Sequence, residues 1–190
     1  MEGHQPTAAL KLAVHKLDFA ESQTHWTRLA GGHSNISWKM ATAENNFVVK
    51  LYPQLWDNPL FANSVELEAG AMIAFGPLRL APQMIGRGQA DKLDFIVYKH
   101  IVNDNTTLSP LKVGALLRRV HRQGATVLEF KRNLRLGQQP NRIIEQLTVG
   151  LSSATKDLLL EVANSFSPIK NPVLLHGDAT PANFVTSSTG

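Results

Sequence analysis

The chain has 190 residues, 43% of them hydrophobic and 18% charged, with a formal net charge of +4 and no cysteine. That length suits one domain with a real core or two small lobes, and the missing cysteines exclude a disulfide framework or a thiolate metal site. The first residues lack the basic, apolar, small-residue order of a signal peptide, and no apolar run is long enough to span a bilayer, so a cytoplasmic protein with no membrane partner is expected.

In chain order, Thr7 can cap a short helix whose apolar positions are Leu10, Ala13, Val14 and Leu17. Thr24 to Leu29 reads as a strand broken by Gly31-Gly32. Ile36 to Ala41 and Phe47 to Tyr52 read as two more, with Asn45-Asn46 between them tolerating the left-handed backbone of a hairpin turn. A helix follows from about Leu60 to Phe75 and ends at Gly76-Pro77. Phe95 to Tyr98 is a fourth apolar strand. Ser109-Pro110 opens the clearest helix, with Val113, Leu116, Leu117 and Val120 at helical spacing and Gly124 as its stop. Helices are expected again around Arg142 to Leu151 and Lys156 to Phe166, then a short buried strand, Val173 to Leu175. The order is a β-rich lobe with one helix (residues 1–102) and a mostly helical lobe (103–190), an α+β class.

The segment His176-Gly177-Asp178-Ala179-Thr180-Pro181-Ala182-Asn183 follows that last strand. Asp and Asn five positions apart on a strand-ending loop is the spacing of phosphoryl-transfer loops. Asp178 would orient a substrate hydroxyl and accept its proton, and Asn183 would bind magnesium. A plain turn after a strand explains Gly177 and Asp178 equally well. Lys50 stands among apolar residues on the third strand, where a kinase-like lobe keeps the lysine that contacts nucleotide phosphates; a solvent-facing lysine on an alternating strand is the alternative.

Such a lysine needs a carboxylate from the next helix, and Glu66 and Glu68 compete for the role. Glu68 lies on the apolar stripe of Phe61, Val65, Met72 and Phe75, whereas Glu66 is rotated about 200° from it. A carboxylate on a buried stripe is costly unless paired, which selects Glu68 as the partner of Lys50. Gly31-Gly32-His33-Ser34-Asn35 sits one hairpin before Lys50. Gly32 could let the backbone approach a phosphate, with Ser34 and Asn35 as donors, though a hairpin turn explains the segment as well.

Gly31 to Asn35, Lys50, Glu68, the helix ending Leu116-Leu117-Arg118-Arg119-Val120-His121, and His176 to Asn183 follow the order of the aminoglycoside phosphotransferase, choline kinase and thiamine kinase superfamily. The chain resembles that superfamily over nearly its whole length. The resemblance implies a protein-kinase-like two-lobed fold, ATP and Mg2+ as cofactors, and transfer of the γ-phosphate to a hydroxyl of a small-molecule acceptor. It also implies an adenine pocket bordered by Phe95 to His100, with a hinge around Tyr98 and His100. In such proteins a second hairpin strand carries an aspartate for magnesium; here the sequence stops at Thr186 to Gly190. The expectation is therefore a C-terminally truncated chain that binds ATP weakly and transfers phosphate negligibly. A non-catalytic nucleotide- or partner-binding remnant of the fold is the alternative. The basic residues are scattered, with no interleaved aromatics, so no nucleic-acid partner is expected.

Overall fold

The computed structural model describes residues 5–17, 23–31, 34–53, 63–104, 108–124, 150–165 and 183–187. Thr7 caps α1 (Ala8–His15), its hydroxyl accepting from the Leu10 amide at 3.1 Å. Five strands follow, with a helix among them: β1 (His25–Arg28), β2 (Ile36–Ala41), β3 (Asn46–Tyr52), α2 (Val65–Phe75), β4 (Met84–Ala90) and β5 (Leu93–Lys99). They form one antiparallel sheet in the order β1-β2-β3-β5-β4, so the fold class is α+β. Two further helices are α3 (Pro110–Gly124) and α4 (Ser153–Ser165). Among the described residues, no helix is long and apolar enough to cross a membrane.

Strand alternation gives the sheet two different faces. One carries Trp26, Trp38, Met40, Phe47, Val49, Leu51, Phe95 and Val97, closed by Leu10 and Val14 of α1. The other carries Tyr52 and Ile96, packed against Val65, Ala69 and Met72 of α2. β3 belongs to both cores, which is why all but its first residue and Lys50 are buried.

Where structure and sequence reading differ, the causes are local. β4 is a strand that the reading did not contain. Its segment, Met-Ile-Gly-Arg-Gly-Gln-Ala, has two glycines and a bulge between Met84 and Gly86, features that weaken a strand signal. Each glycine is there for space: a Cβ on Gly88 would lie 2.9 Å from Phe95 Cζ, and one on Gly86 would lie 3.0 Å from a Leu17 methyl. The left-handed hairpin turn is also not at Asn45-Asn46. There the Thr42 amide donates to the Asn45 carbonyl at 2.9 Å, and the Thr42 hydroxyl accepts from the Asn45 amide. The left-handed pair is instead Asp91 and Lys92, at φ 52° and 63°, in the two-residue loop joining β4 to β5. This is the backbone that matches the twist of a tight hairpin.

α2 begins at Val65 rather than near Leu60, because Ser64 is extended and caps it. β1, β5 and α4 differ from expectation only at their ends. Ser109 caps α3 as expected, its hydroxyl accepting from the Lys112 amide at 3.3 Å. Gly150 and Leu151 are not helical. The rest of the helix expected around 142–151, the strand at 173–175 and the loop 176–182 lie outside the described residues.

Candidate nucleotide-binding site

Lys50 is the polar interruption of β3. Its neighbours in the sheet are Ser37 on β2 and Ile96 on β5, so it stands mid-sheet on the face that receives α2. On that face α2 packs over β4 and β5. The β1–β2 half is more open: Thr27 is exposed, and Ser37 and Lys39 are half-buried. Lys50 therefore sits on the border between a covered, apolar half and an open, polar one.

The partner across that border is Glu68. Lys50 Nζ and Glu68 Oε2 are 2.6 Å apart, with side-chain exposures of 22% and 27%. Val65, Ala69, Met72 and Phe75 are the buried stripe of α2, and Glu68 lies one turn after Val65 on its edge. Glu66 is exposed and accepts instead from the Ser64 hydroxyl at 3.0 Å. Two carboxylates two positions apart on one helix thus have different fates, set by helical phase alone.

Tyr52 completes the cluster, a residue that the sequence reading did not single out. Its hydroxyl donates to the same Glu68 oxygen, and Lys50 Nζ lies 5.3 Å from its ring centroid. The signal was available, since Tyr52 is two positions beyond Lys50 and a strand places such residues on one face. Burial, and next the nearby Glu68 carboxylate, push the Tyr52 hydroxyl far above its ordinary pKa. Tyr98, on the same face against the α2 core, is raised for the same two reasons. Both phenols are neutral donors throughout the physiological range.

Asn35, read from the sequence as a phosphate donor, exchanges two hydrogen bonds with Asn63, at 2.8 and 3.0 Å. That reciprocal pair ties the end of the glycine segment to the residue before the cap of α2. Ser34 is half-buried beside it, and Gly31 has φ 99°, a conformation that favours glycine. Gly32 lies outside the described residues.

At the other end of the face, Tyr98 is still inside β5, opposite Val48 and Met84. The Lys99 amide donates to the Gln83 carbonyl at 2.9 Å, and the His100 amide donates to the Asn46 carbonyl at 3.0 Å. Both amides bond the sheet, β5 ends at Lys99, and no regular element is formed from His100 to Asp104. His100 is half-buried, and its Nδ1 is buried with no hydrogen-bond partner among the described residues. Burial, and then the Lys39 ammonium, hold His100 below its ordinary pKa, so it is neutral at pH 7.

The segment containing Asn183 reaches this linker. The Asp104 amide donates to the Thr186 carbonyl at 3.0 Å, and the Thr186 hydroxyl bonds the side chains of Asn103 and Asp104. Residues far apart in sequence thus bring the neighbourhood of Asn183 to the end of β5. Asp178 lies outside the described residues. Among the described residues, no group of three or more His, Asp or Glu side chains could hold a metal ion.

No protein-family model matches the chain, and no curated protein does. Solved structures do. Spectinomycin phosphotransferase APH(9)-Ia, in complex with ADP and spectinomycin, matches over 83% of this chain and 54% of its own, at 14% identity and a TM-score of 0.46. A Ralstonia eutropha protein provisionally described as an aminoglycoside phosphotransferase matches over 82% and 52%, at 16% identity and 0.49. A thermostable mutant of aminoglycoside phosphotransferase APH(4)-Ia, in a ternary complex with ADP and hygromycin B, matches over 86% and 62%, at 13% identity and 0.49. The likeness is to aminoglycoside phosphotransferases. It is one of fold, and the chain spans little more than half the length of the first two.

Proposed function

We propose that this chain carries the nucleotide-binding part of a phosphotransferase that moves the γ-phosphate of ATP to a hydroxyl of a small molecule. The observation that carries the reading is the ion pair of Lys50 and Glu68, mid-sheet and three-quarters buried, where an apolar residue would cost less. An ammonium held at one side by a carboxylate keeps other N–H donors for a second anion, and phosphate oxygens are the anion this geometry suits. Lys39 adds a second cation on the same open face, opposite Val48. The residues described therefore fit the phosphates of a nucleotide.

In this reading residues 1–102 are the nucleotide lobe and 103–190 belong to a helical lobe. Magnesium, when bound, neutralises phosphate charge and orients the γ-phosphate; Asn183 would be one of its ligands. Asp178 would hold the acceptor hydroxyl and take its proton, a role that rests on its spacing from Asn183. The acceptor is a small hydroxylated molecule.

Titration of the chain with a fluorescent ATP analogue, with and without magnesium, tests the reading. Lys50→Met is expected to weaken binding at least tenfold, and Asp178→Asn to leave binding intact. Equal affinity in the Lys50→Met chain refutes the site. Nucleotide binding that ignores magnesium would instead mark a non-catalytic binding module.

A further inference from the structure

Glu68 Oε2 receives two donors of different character. Lys50 reaches it through a long flexible chain whose head is still partly in water. Tyr52 reaches it from a ring that is 1% exposed and packed among Val65, Ala69, Met72 and Ile96. A partly exposed ion pair opens readily, because either long side chain can swing into solvent at little cost. A phenol locked in the core has no such freedom, and a buried hydroxyl without an acceptor is costly. The tyrosine therefore limits where the carboxylate can go, and the carboxylate limits where the ammonium can go.

We propose that Tyr52 is a positioning residue of the nucleotide site: its hydroxyl fixes the Glu68 carboxylate, and α2 with it, so that Lys50 is already presented to phosphates before a nucleotide arrives. The mention of phosphates rests on the nucleotide-binding reading above; the hold of Tyr52 on Glu68 and α2 does not. Three features favour a built device over incidental packing. Tyr52 and Lys50 share one strand face, so their spacing is fixed by backbone geometry. Both donors converge on a single oxygen. The opposite end of the contact is Ser64-capped and tied through Asn63 to Asn35, so the start of α2 is anchored independently. A site assembled in advance spends none of its binding energy on ordering the helix.

The test is Tyr52→Phe in the full chain, which removes one oxygen and keeps the ring. Two quantities are read: amide hydrogen exchange along Leu67–Phe75, and the Kd of a fluorescent ATP analogue with magnesium. Exchange in α2 is expected to rise about tenfold while Val49 and Val97 in the strands hold their protection, the lower range for losing a hydrogen bond to a charged group. Kd is expected to rise about tenfold too. In a Glu68→Met background, Tyr52→Phe should raise neither quantity, because the hydroxyl acts through the carboxylate and is stranded without it.

Unchanged exchange in α2 overturns the proposal. So does an equal rise in α2 and the strands, which would make the hydroxyl a general contributor to the core, and so does a tenfold effect that persists with Glu68→Met. If the unsubstituted chain binds no nucleotide, the functional reading fails, while the exchange comparison still decides whether Tyr52 holds Glu68. Should Tyr52→Phe not fold, proton NMR of the unsubstituted chain decides. A protected Tyr52 hydroxyl proton, lost with Glu68→Met, supports the hold, and its absence from the unsubstituted chain overturns it.

Discussion

Replacing the whole polar cluster by apolar residues separates what it does for stability from what it does for binding. Glu68→Leu alone leaves the Tyr52 hydroxyl buried at 1% exposure with its acceptor gone, a loss of about 1–3 kcal/mol. Lys50 is 22% exposed and can turn its ammonium to water, so it adds little to that figure. Leu and Glu have nearly equal helix propensity, so α2 itself is indifferent. The triple variant Lys50→Met, Tyr52→Phe, Glu68→Leu removes the stranded groups as well. Buried ion pairs replaced by apolar side chains of similar volume are often neutral or stabilising, so the triple variant is expected within about 1 kcal/mol of the parent, or above it. Urea unfolding followed by circular dichroism reads both, with the m-value checking that compactness is unchanged. Nucleotide binding should be lost in the triple variant despite its recovered stability. A triple variant less stable than Glu68→Leu alone would refute the reasoning, because the cluster would then be kept for the fold.

Other perturbations follow from the same contacts. The chain has two tyrosines, both with hydroxyl pKa values raised above 10 by burial and Glu68. Their contribution is intact below pH 10 and lost as pH rises beyond it, because the unfolded chain sheds phenolic protons that the folded chain keeps; stability should fall by up to about 1.4 kcal/mol per pH unit for each tyrosine. Absorbance at 295 nm should show no phenolate at pH 10.5 in the folded chain, and a normal titration there would contradict the burial argument for both phenols. Gly88→Ala places a Cβ 2.9 Å from Phe95 Cζ, in a ring that is 1% exposed, and should cost about 1–3 kcal/mol in urea unfolding. Lys92→Gly relieves a left-handed residue at φ 63° in the β4–β5 turn and should raise stability by about 0.5–1 kcal/mol by the same assay.

What could be read in advance was what depends on neighbours in sequence. β2 followed from apolar alternation, β3 from an apolar run broken by Lys50, α3 from Ser109-Pro110 and its apolar periodicity, and the choice of Glu68 over Glu66 from helical phase. What could not be read depends on distant residues. β4 is a strand because β5 pairs with it, and its glycines are explained by Leu17 and Phe95, which lie outside the segment. Asn35 had to be seen beside Asn63, 28 positions away, before its role as a tie was visible. The commitment of the Lys99 and His100 amides depends on Gln83 and Asn46. Turn chemistry misled for a related reason: Asn45-Asn46 has the composition of a left-handed turn, yet the Thr42 hydroxyl closes that loop without one.

The two faces of the sheet differ in a way that supports the proposed nucleotide site. Both are the work of the same five strands, yet the α1 face keeps its charged residues, Arg28 and Lys99, exposed at the rim, while the α2 face holds Lys39, Lys50, Tyr52, Glu68 and Tyr98 buried or half-buried. If stability were the sole demand, α2 could have been seated as α1 is, with Leu and Val. Lys50, Tyr52 and Glu68 meet where the covered half gives way to the open half, with the Asn35–Asn63 tie at one end and the neutral His100 at the other; a separate polar pair, Gln89 and Asp94, lies at the β4–β5 edge. A cationic group needs a fixed position and access to solvent at once to receive an anionic ligand, and that border offers Lys50 both. The cost of the cluster is thus placed where a ligand could use it.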